Sequence, residues 1–253
     1  MKIAVTGATG YIGGRLVPQL LEAGHEVVCL ARTPNKLNDR PWRDDVEVRR
    51  CDVLAPGDID EALDGCEAAY YLIHSMGSAS DFSSADHDAA SNFAAAAETN
   101  GLRRIVYLGG LGSGDTLSSH LASRQEVGEV LASGSTPVTE MRAAVVIGSG
   151  SVSFEMLRYL TEVLPVMTTP RWVETKCQPI AIRDVLAYLV EAVGDDDGSH
   201  VYEIGGPEVV TYREMMQAYA RAAGLRRRLI IGVPVLSPRL SSLWIGLVTP
   251  IPV

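Results

Sequence analysis

The sequence is short of several things, and each shortage removes a class of protein. Lysine is confined to Lys2, Lys36 and Lys176. With 31 acidic residues against 22 basic ones the formal net charge is −9, and the isoelectric point falls near 5.1. Such a chain lacks the basic face that a phosphate backbone demands, which excludes nucleic acid as a general partner. The single basic run, Arg226, Arg227 and Arg228, reads as a solvated helix end or loop. Cysteine is scarce too. Cys29, Cys51, Cys66 and Cys177 show no C-x-x-C spacing, so neither a zinc site nor a disulfide framework is legible and no metal is expected. Cys29 and Cys51 sit in apolar, strand-like segments, where a thiol acts as a small buried hydrophobe. No apolar run reaches the roughly 20 residues a membrane span needs. The N-terminus runs straight into an apolar strand with no signal-peptide pattern, which leads to the expectation of a cytoplasmic protein. Internal repeats and low-complexity linkers are missing as well.

What is present begins almost at once. Residues 3–5 form a short apolar strand that enters the turn Gly7-Ala-Thr-Gly10-Tyr-Ile-Gly13. An amphipathic helix follows, with Ile12, Leu16, Val17, Leu20 and Leu21 on one side. Glycine lets the backbone take positive φ and approach a ligand closely. The first helical turn then offers unpaired N–H groups and the positive end of the helix dipole, which suit a diphosphate. Gly7, Thr9, Gly10, Tyr11, Ile12 and Gly13 are therefore the candidate dinucleotide loop.

The first half continues as strand and helix in alternation. Strands are expected at 26–31, 46–50, 67–73, 104–108 and 137–142, and helices at 59–63, 86–99 and 120–131. This pattern predicts an α/β fold with a doubly wound parallel sheet, whose ligands bind beyond the C-terminal strand ends. Thr6, Gly7, Arg32, Asp52, His74, Ser75, Gly109, Gly110, Ala143 and Ala144 all fall at those ends. The second half is looser. A helix at 154–164 leads into a proline-bracketed loop at 165–172, and a short strand at 178–182 precedes a helix that ends near Val193. The acidic turn at 195–197 reads as solvated, 201–204 as a strand, and Thr211 with Glu214 as a capping box. Trp172 and Met167 read as apolar core more than as walls of a substrate pocket. The division expected is a nucleotide-binding core at 1–150, its sheet completed by later strands, and a small substrate-side lobe at 151–253. The apolar, proline-broken segments 229–235 and 243–253 need covering. Packing on the small lobe, a homo-oligomer interface and truncation after Val253 all remain open.

Cofactor choice turns on the end of the second strand. A site for NAD places Asp or Glu about 20 residues past the glycines to hold the ribose 2′-hydroxyl. Here the sequence reads Ala31-Arg32-Thr33, and the next acidic residue is Asp39. A guanidinium forks onto a 2′-phosphate, so NADP is the expected cofactor, with Arg15 a possible second contact. Asp52 is placed either to accept from the adenine amine or to cap the next element.

Thr6-Gly7-Ala-Thr-Gly10-Tyr-Ile-Gly13, Leu30-Ala-Arg32, Cys51-Asp52-Val53 and Tyr107-Leu-Gly-Gly110 resemble the short-chain dehydrogenase/reductase superfamily. Gln178-Pro-Ile-Ala-Ile-Arg-Asp184 and Tyr202-Glu-Ile-Gly-Gly-Pro207 add a resemblance to its atypical, NmrA-like branch, over nearly all of the chain up to about Leu225. The resemblance implies a Rossmann-type sheet with NADP at the strand ends and a small C-terminal substrate lobe. Val53 and Gly109, within the motifs that carry the resemblance, are expected beside the cofactor. His74, after the fourth strand, reads as beside its ribose or nicotinamide more than as plain loop. The family's catalytic signature, Tyr-x-x-x-Lys in the helix after the fifth strand, has no counterpart, because no lysine stands four residues after a tyrosine. In that region stand His120 and Arg124, which share a helix face at i, i+4 spacing. Histidine moves protons near neutral pH, whereas arginine supplies only charge. His120 as proton donor, Arg124 as its electrostatic partner and Ser113 as an orienting hydroxyl make one reading, an NADP-dependent oxidoreductase acting on a small apolar substrate. A non-catalytic redox sensor that keeps only the dinucleotide site is the other. Nucleotide-sugar epimerase or dehydratase chemistry is disfavoured by the missing Tyr/Lys pair.

Overall fold

Adjacent tyrosines show how the core is layered. Successive side chains of a strand point to opposite faces. Tyr71 packs edge-to-face on Phe93, ring centroids 5.0 Å apart, while Tyr70 donates its hydroxyl to the Leu189 carbonyl at 2.8 Å. Phe93 and Leu189 belong to helices that must therefore cover opposite faces of one sheet.

The structure, a computed structural model, describes residues 1–73, 82–112, 118–195 and 198–232. The first elements are β1 (Lys2–Thr6), α1 (Gly13–Glu22), β2 (Glu26–Ala31), β3 (Glu47–Arg50), α2 (Pro56–Leu63), β4 (Ala68–Tyr71) and α3 (Phe82–Thr99). Next come β5 (Arg104–Gly110), α4 (Ser119–Ala132), β6 (Val138–Ala143), β7 (Val146–Ile147), α5 (Val152–Val163) and β8 (Val166–Thr169). The remainder are β9 (Lys176–Cys177), β10 (Ile180–Ala181), α6 (Ile182–Ala192), β11 (His200–Ile204), β12 (Val210–Thr211), α7 (Tyr212–Ala222) and β13 (Leu229–Gly232). Among the described residues no helix is long and apolar enough to cross a membrane.

Seven strands make one sheet in the order β11-β6-β5-β4-β1-β2-β3, every neighbouring pair parallel. β1 sits between β2 and β4, so the chain winds outward from it in both directions, as in a Rossmann-type sheet. The chain divides into two compact units, Met1–Ala143 with Arg183–Ile204 and Ala144–Ile182 with Gly205–Val253.

In the first unit α1 buries Leu16, Val17 and Leu20 completely, and each such side chain contributes about 1.5–3 kcal/mol. The other face of the sheet is covered by α2, α3 and α4, with Ile59, Leu63, Phe93 and Leu131 in one apolar cluster with Tyr71 and Tyr107. β11 closes the edge beside β6. Arg104, 2% exposed, donates through Nη1 to Thr139 Oγ1 at 2.6 Å and to the Gly198 carbonyl at 3.1 Å. Asp195 Oδ2 accepts from Thr139 Oγ1 at 3.4 Å and from the Tyr202 hydroxyl at 3.5 Å. Asp195 is thus part of this anchor and not the plain solvated turn expected; Asp196 and Asp197 lie outside the described residues.

The second unit packs Leu157 and Leu160 of α5 against Met215 and Met216 of α7, together with Met167, Val173 and Ile230. Trp172 packs on this core and meets Tyr212 edge-on at 5.3 Å, so Trp172 and Met167 are core residues. The expected proline-bracketed loop at 165–172 is instead β8, paired in parallel with β13, followed by a 3₁₀ turn at Arg171–Glu174. The period-two burial of Val166 to Thr169, exposed and buried in alternation, is a strand signature that the flanking prolines obscure. β13 likewise takes up residues 229–232 of the apolar tail; residues 233–253 lie outside the described residues. α5 and α7 leave an apolar groove of about 370 Å³ lined by Phe154, Leu157, Met215 and Tyr219.

Candidate functional site

The site grows from the turn between β1 and α1. Gly7 has φ of +71°, a conformation glycine reaches without strain, and a Cβ there would stand 2.5 Å from the Leu72 carbonyl oxygen. Gly10 N donates to the Gly7 carbonyl at 2.8 Å and closes the turn. Gly13 opens α1 so close behind that a Cβ on it would lie 2.4 Å from Gly7 O. Ile12 occupies the cap position, with no side-chain cap bond, so the first amides of α1 have no side-chain acceptor there. Gly14 N is taken by the Gly10 carbonyl at 3.1 Å and Arg15 N by the Ile12 carbonyl at 3.0 Å, so a diphosphate here would be met by the amides ahead of them.

Beyond this turn lies a cleft of about 470 Å³ at the C-terminal ends of β1, β2, β3 and β4. Thr6, Gly7 and Thr9 line one side, Ala31, Arg32, Thr33 and Lys36 another, and Cys51, Asp52 and Val53 a third. Leu30, Leu54, Tyr71, Ile73, Ala85, Asp86 and Ala89 complete it. Of the strand-end residues expected to converge, Thr6, Gly7, Arg32 and Asp52 line the cleft, whereas Gly109, Gly110, Ala143 and Ala144 do not. His74, Ser75 and Ser113 lie outside the described residues.

Individual roles differ within the set. Asp52 Oδ1 accepts from Leu54 N at 3.2 Å, so it caps its own turn while facing the cleft. The Val53 carbonyl accepts from Asn92 Nδ2 at 3.3 Å, tying this wall to α3. Arg15 stacks its guanidinium 4.0 Å over the Tyr11 ring and donates to the Tyr11 carbonyl at 3.1 Å; it is not among the cleft residues. Gly109 lacks a side chain for a packing reason, because a Cβ there would stand 2.4 Å from Oε1 of the buried Glu140. Glu140 is in turn held by Arg142, with Nε–Oε1 2.8 Å and Nη2–Oε2 3.1 Å.

His120 is exposed at the start of α4, and neither it nor Arg124 lines the cleft. Arg124 turns onto the end of β5, where Nη2 donates to the Leu108 carbonyl at 2.5 Å. Its Nε is buried with no hydrogen-bond partner among the described residues. Its own carbonyl accepts from the Tyr107 hydroxyl at 2.8 Å. Burial pushes the Tyr107 phenol up to about 12 against the opposing pull of Arg124, so this tyrosine is a structural donor and not an activated acid. Burial also raises the Cys51 thiol to about 11, which leaves the cleft without a reactive thiolate near neutral pH.

Residues 7–148 match the family model described as NAD(P)H-binding. The chain belongs to this NAD(P)H-binding family. It is 28% identical over 226 residues to NADH dehydrogenase (ubiquinone) 1 alpha subcomplex subunit 9, mitochondrial, of Arabidopsis thaliana, covering 84% of this chain and 56% of that relative. The chain thus spans little more than half the length of that curated relative. Among solved structures, a nucleoside-diphosphate-sugar epimerase of Staphylococcus aureus superposes with a TM-score of 0.78 at 19% identity, over 96% of this chain and 84% of that one. A triphenylmethane reductase of Citrobacter sp., complexed with NADP(H), gives 0.77 at 19% identity over 99% and 85%. At such identity the likeness is one of fold.

Within this cleft, sequence reasoning passed over Lys36 and Asp86. Lys36 carried a signal, being one of three lysines and four residues beyond Arg32. Asp86 carried none, since its place in the cleft depends on how α3 packs beside β4.

Proposed function

We propose that the chain is an atypical, NmrA-like short-chain reductase that holds NADP(H) in the cleft of its first unit and serves a small apolar carbonyl, enone or quinone-like acceptor. The observation that carries the cofactor preference is the pair of cations, Arg32 and Lys36, on the cleft wall after β2. No Asp or Glu stands between Ala31 and Lys36 to claim a ribose hydroxyl. Two cations and a hydroxyl, that of Thr33, fit a 2′-phosphate; a carboxylate there would repel it. The bound dinucleotide supplies hydride, and the protein's own contribution is grip and orientation. The reductase and the epimerase neighbours are alike in fold similarity, so the choice of reduction over sugar chemistry is supported by the missing Tyr-x-x-x-Lys pair.

A second reading, a dinucleotide-dependent sensor without turnover, is favoured by one observation. Arg124 Nη2 is engaged by a backbone carbonyl and His120 stands outside the cleft, so the pair does not form a proton-transfer site among the described residues.

Titration with NADPH and NADH, followed by single-turnover loss of NADPH absorbance against quinones, enones and aldehydes, separates the readings. Tight NADPH binding with no oxidation of it leaves the sensor. Arg32→Ala is expected to weaken NADPH on the order of ten- to hundredfold while NADH changes little, because a charged hydrogen bond contributes about 1.5–3 kcal/mol. Equal losses for both nucleotides would remove the NADP assignment.

A further inference from the structure

α1 contains a proline, Pro18, in its interior. Proline has no N–H to give the carbonyl four residues back, which here belongs to Gly14. A carbonyl left without a partner at a partly buried position costs free energy. The indole Nε1 of Trp42 supplies the missing donor at 3.2 Å. Trp42 is itself only 7% exposed, so its N–H also needs this acceptor.

Two residues earlier, Arg40 Nη2 donates to the Thr9 carbonyl at 2.8 Å. Peptide planarity makes this bond informative. In the unit joining Thr9 to Gly10, the carbonyl points to Arg40 while the amide points the other way and closes the turn on Gly7 O at 2.8 Å. Orienting that one peptide sets the turn from which the first amides of α1 follow. Arg40 passes close over Gly14, where a Cβ would be in ordinary contact with its Cζ and Nη1 at 3.4 Å and 3.2 Å from the Ala8 carbonyl oxygen.

We infer that Arg40, Pro41 and Trp42 form a strap that holds the nucleotide loop by its carbonyls, with Arg40 a positioning residue for the dinucleotide's diphosphate. The inference rests on the reading of the cleft as an NAD(P)H site. It differs from the role of Arg32 in one measurable respect. The diphosphate is common to both nucleotides, so losing the strap weakens NADP⁺ and NAD⁺ by the same factor.

The test is calorimetric titration of the intact chain and its variants with NADP⁺ and with NAD⁺, well below the melting temperature of each variant, alongside thermal melts without nucleotide. Arg40→Ala is expected to raise both dissociation constants about tenfold. Trp42→Phe keeps an aromatic side chain and removes the donor, and is expected to raise both constants. Adding Pro18→Ala to Trp42→Phe returns an N–H to the Gly14 carbonyl and is expected to recover affinity. Unchanged constants in Arg40→Ala, with wild-type binding intact, overturn the strap and leave the cofactor reading standing. Loss of NADP⁺ alone would make Arg40 a 2′-phosphate ligand and overturn the positioning role. Failure of Pro18→Ala to rescue Trp42→Phe overturns the carbonyl account, and it stands as the deciding comparison should Arg40→Ala not fold. Wild-type protein that binds neither nucleotide sinks both readings together.

Discussion

Two glycines with opposite surroundings show how far a single residue is constrained. At Gly13 an added methyl would meet Gly7 O at 2.4 Å and Gly7 C at 2.8 Å, both backbone atoms that cannot swing away. Gly13→Ala is expected to cost about 1–3 kcal/mol, the usual range for forced overpacking. It should also lower nucleotide affinity, because the start of α1 must shift. Gly57, in the first turn of α2, has nothing within 4 Å of its Cβ position. Gly57→Ala is expected to raise stability by up to about 1 kcal/mol through helix propensity. Chemical denaturation of the two variants checks both signs, and a Gly13→Ala protein as stable as wild type would refute the packing argument. The glycine spacing was readable from the chain; that Gly13 is pinned by Gly7, and Gly109 by Glu140, was not. Both depend on atoms brought together by packing.

Single elements show the same division. The capping box of α7 was legible as Thr211 followed three residues later by Glu214. The structure closes it with Glu214 N to Thr211 Oγ1 at 3.1 Å and Thr211 N to Glu214 Oε2 at 2.7 Å. Thr211→Ala is expected to lower the melting temperature by about 2–4 °C. The backbone N–H of Thr211 holds the Glu214 carboxyl below the usual carboxylate range. A depressed carboxyl contributes stability that is full above its unfolded-state pKa and is lost as pH falls through its folded value. Alanine at 211 keeps that N–H and loses only the hydroxyl that donates to Glu214 Oε2 at 3.0 Å, so Glu214→Gln is the variant that isolates the charge. Its stability gap from wild type should narrow from pH 7 to pH 3, and a constant gap would show that the carboxylate plays no part. β8 and β13 went the other way. Each is four residues long, beside proline or in an apolar run, and each is a strand because the other pairs with it. Pairing between positions as distant as Thr168 and Ile231 leaves no local trace.

At the scale of the whole chain, the first unit is not a continuous segment. β11 pairs with β6 from His200↔Thr139 to Ile204↔Ala143, and the Tyr70 hydroxyl ends on Leu189 of α6. A fragment ending at Ala143 would leave the edge of β6 open and Arg104 without the Gly198 carbonyl. Burying an arginine with its donors unmet is among the costlier defects a core can carry. Residues 1–143 alone are therefore expected to lack a cooperative unfolding transition in denaturant monitored by circular dichroism. A sharp two-state transition in that fragment would show the returning segment to be dispensable.

What the amino-acid order settled unaided was whatever has a short period or a fixed spacing. The alternation of strand and helix, the glycines before α1, Arg32 in place of an acid, and the missing Tyr-x-x-x-Lys are all local and could be read directly. The tertiary structure alone decided which of these groups meet. It brought Lys36 and Asp86 into the cleft, left His120 outside it, turned Arg124 onto the Leu108 carbonyl, and set Trp42 against the carbonyl that Pro18 leaves open. The physical reason is that a side chain's chemistry belongs to the residue, whereas its partner is chosen by the packing of elements distant in the chain.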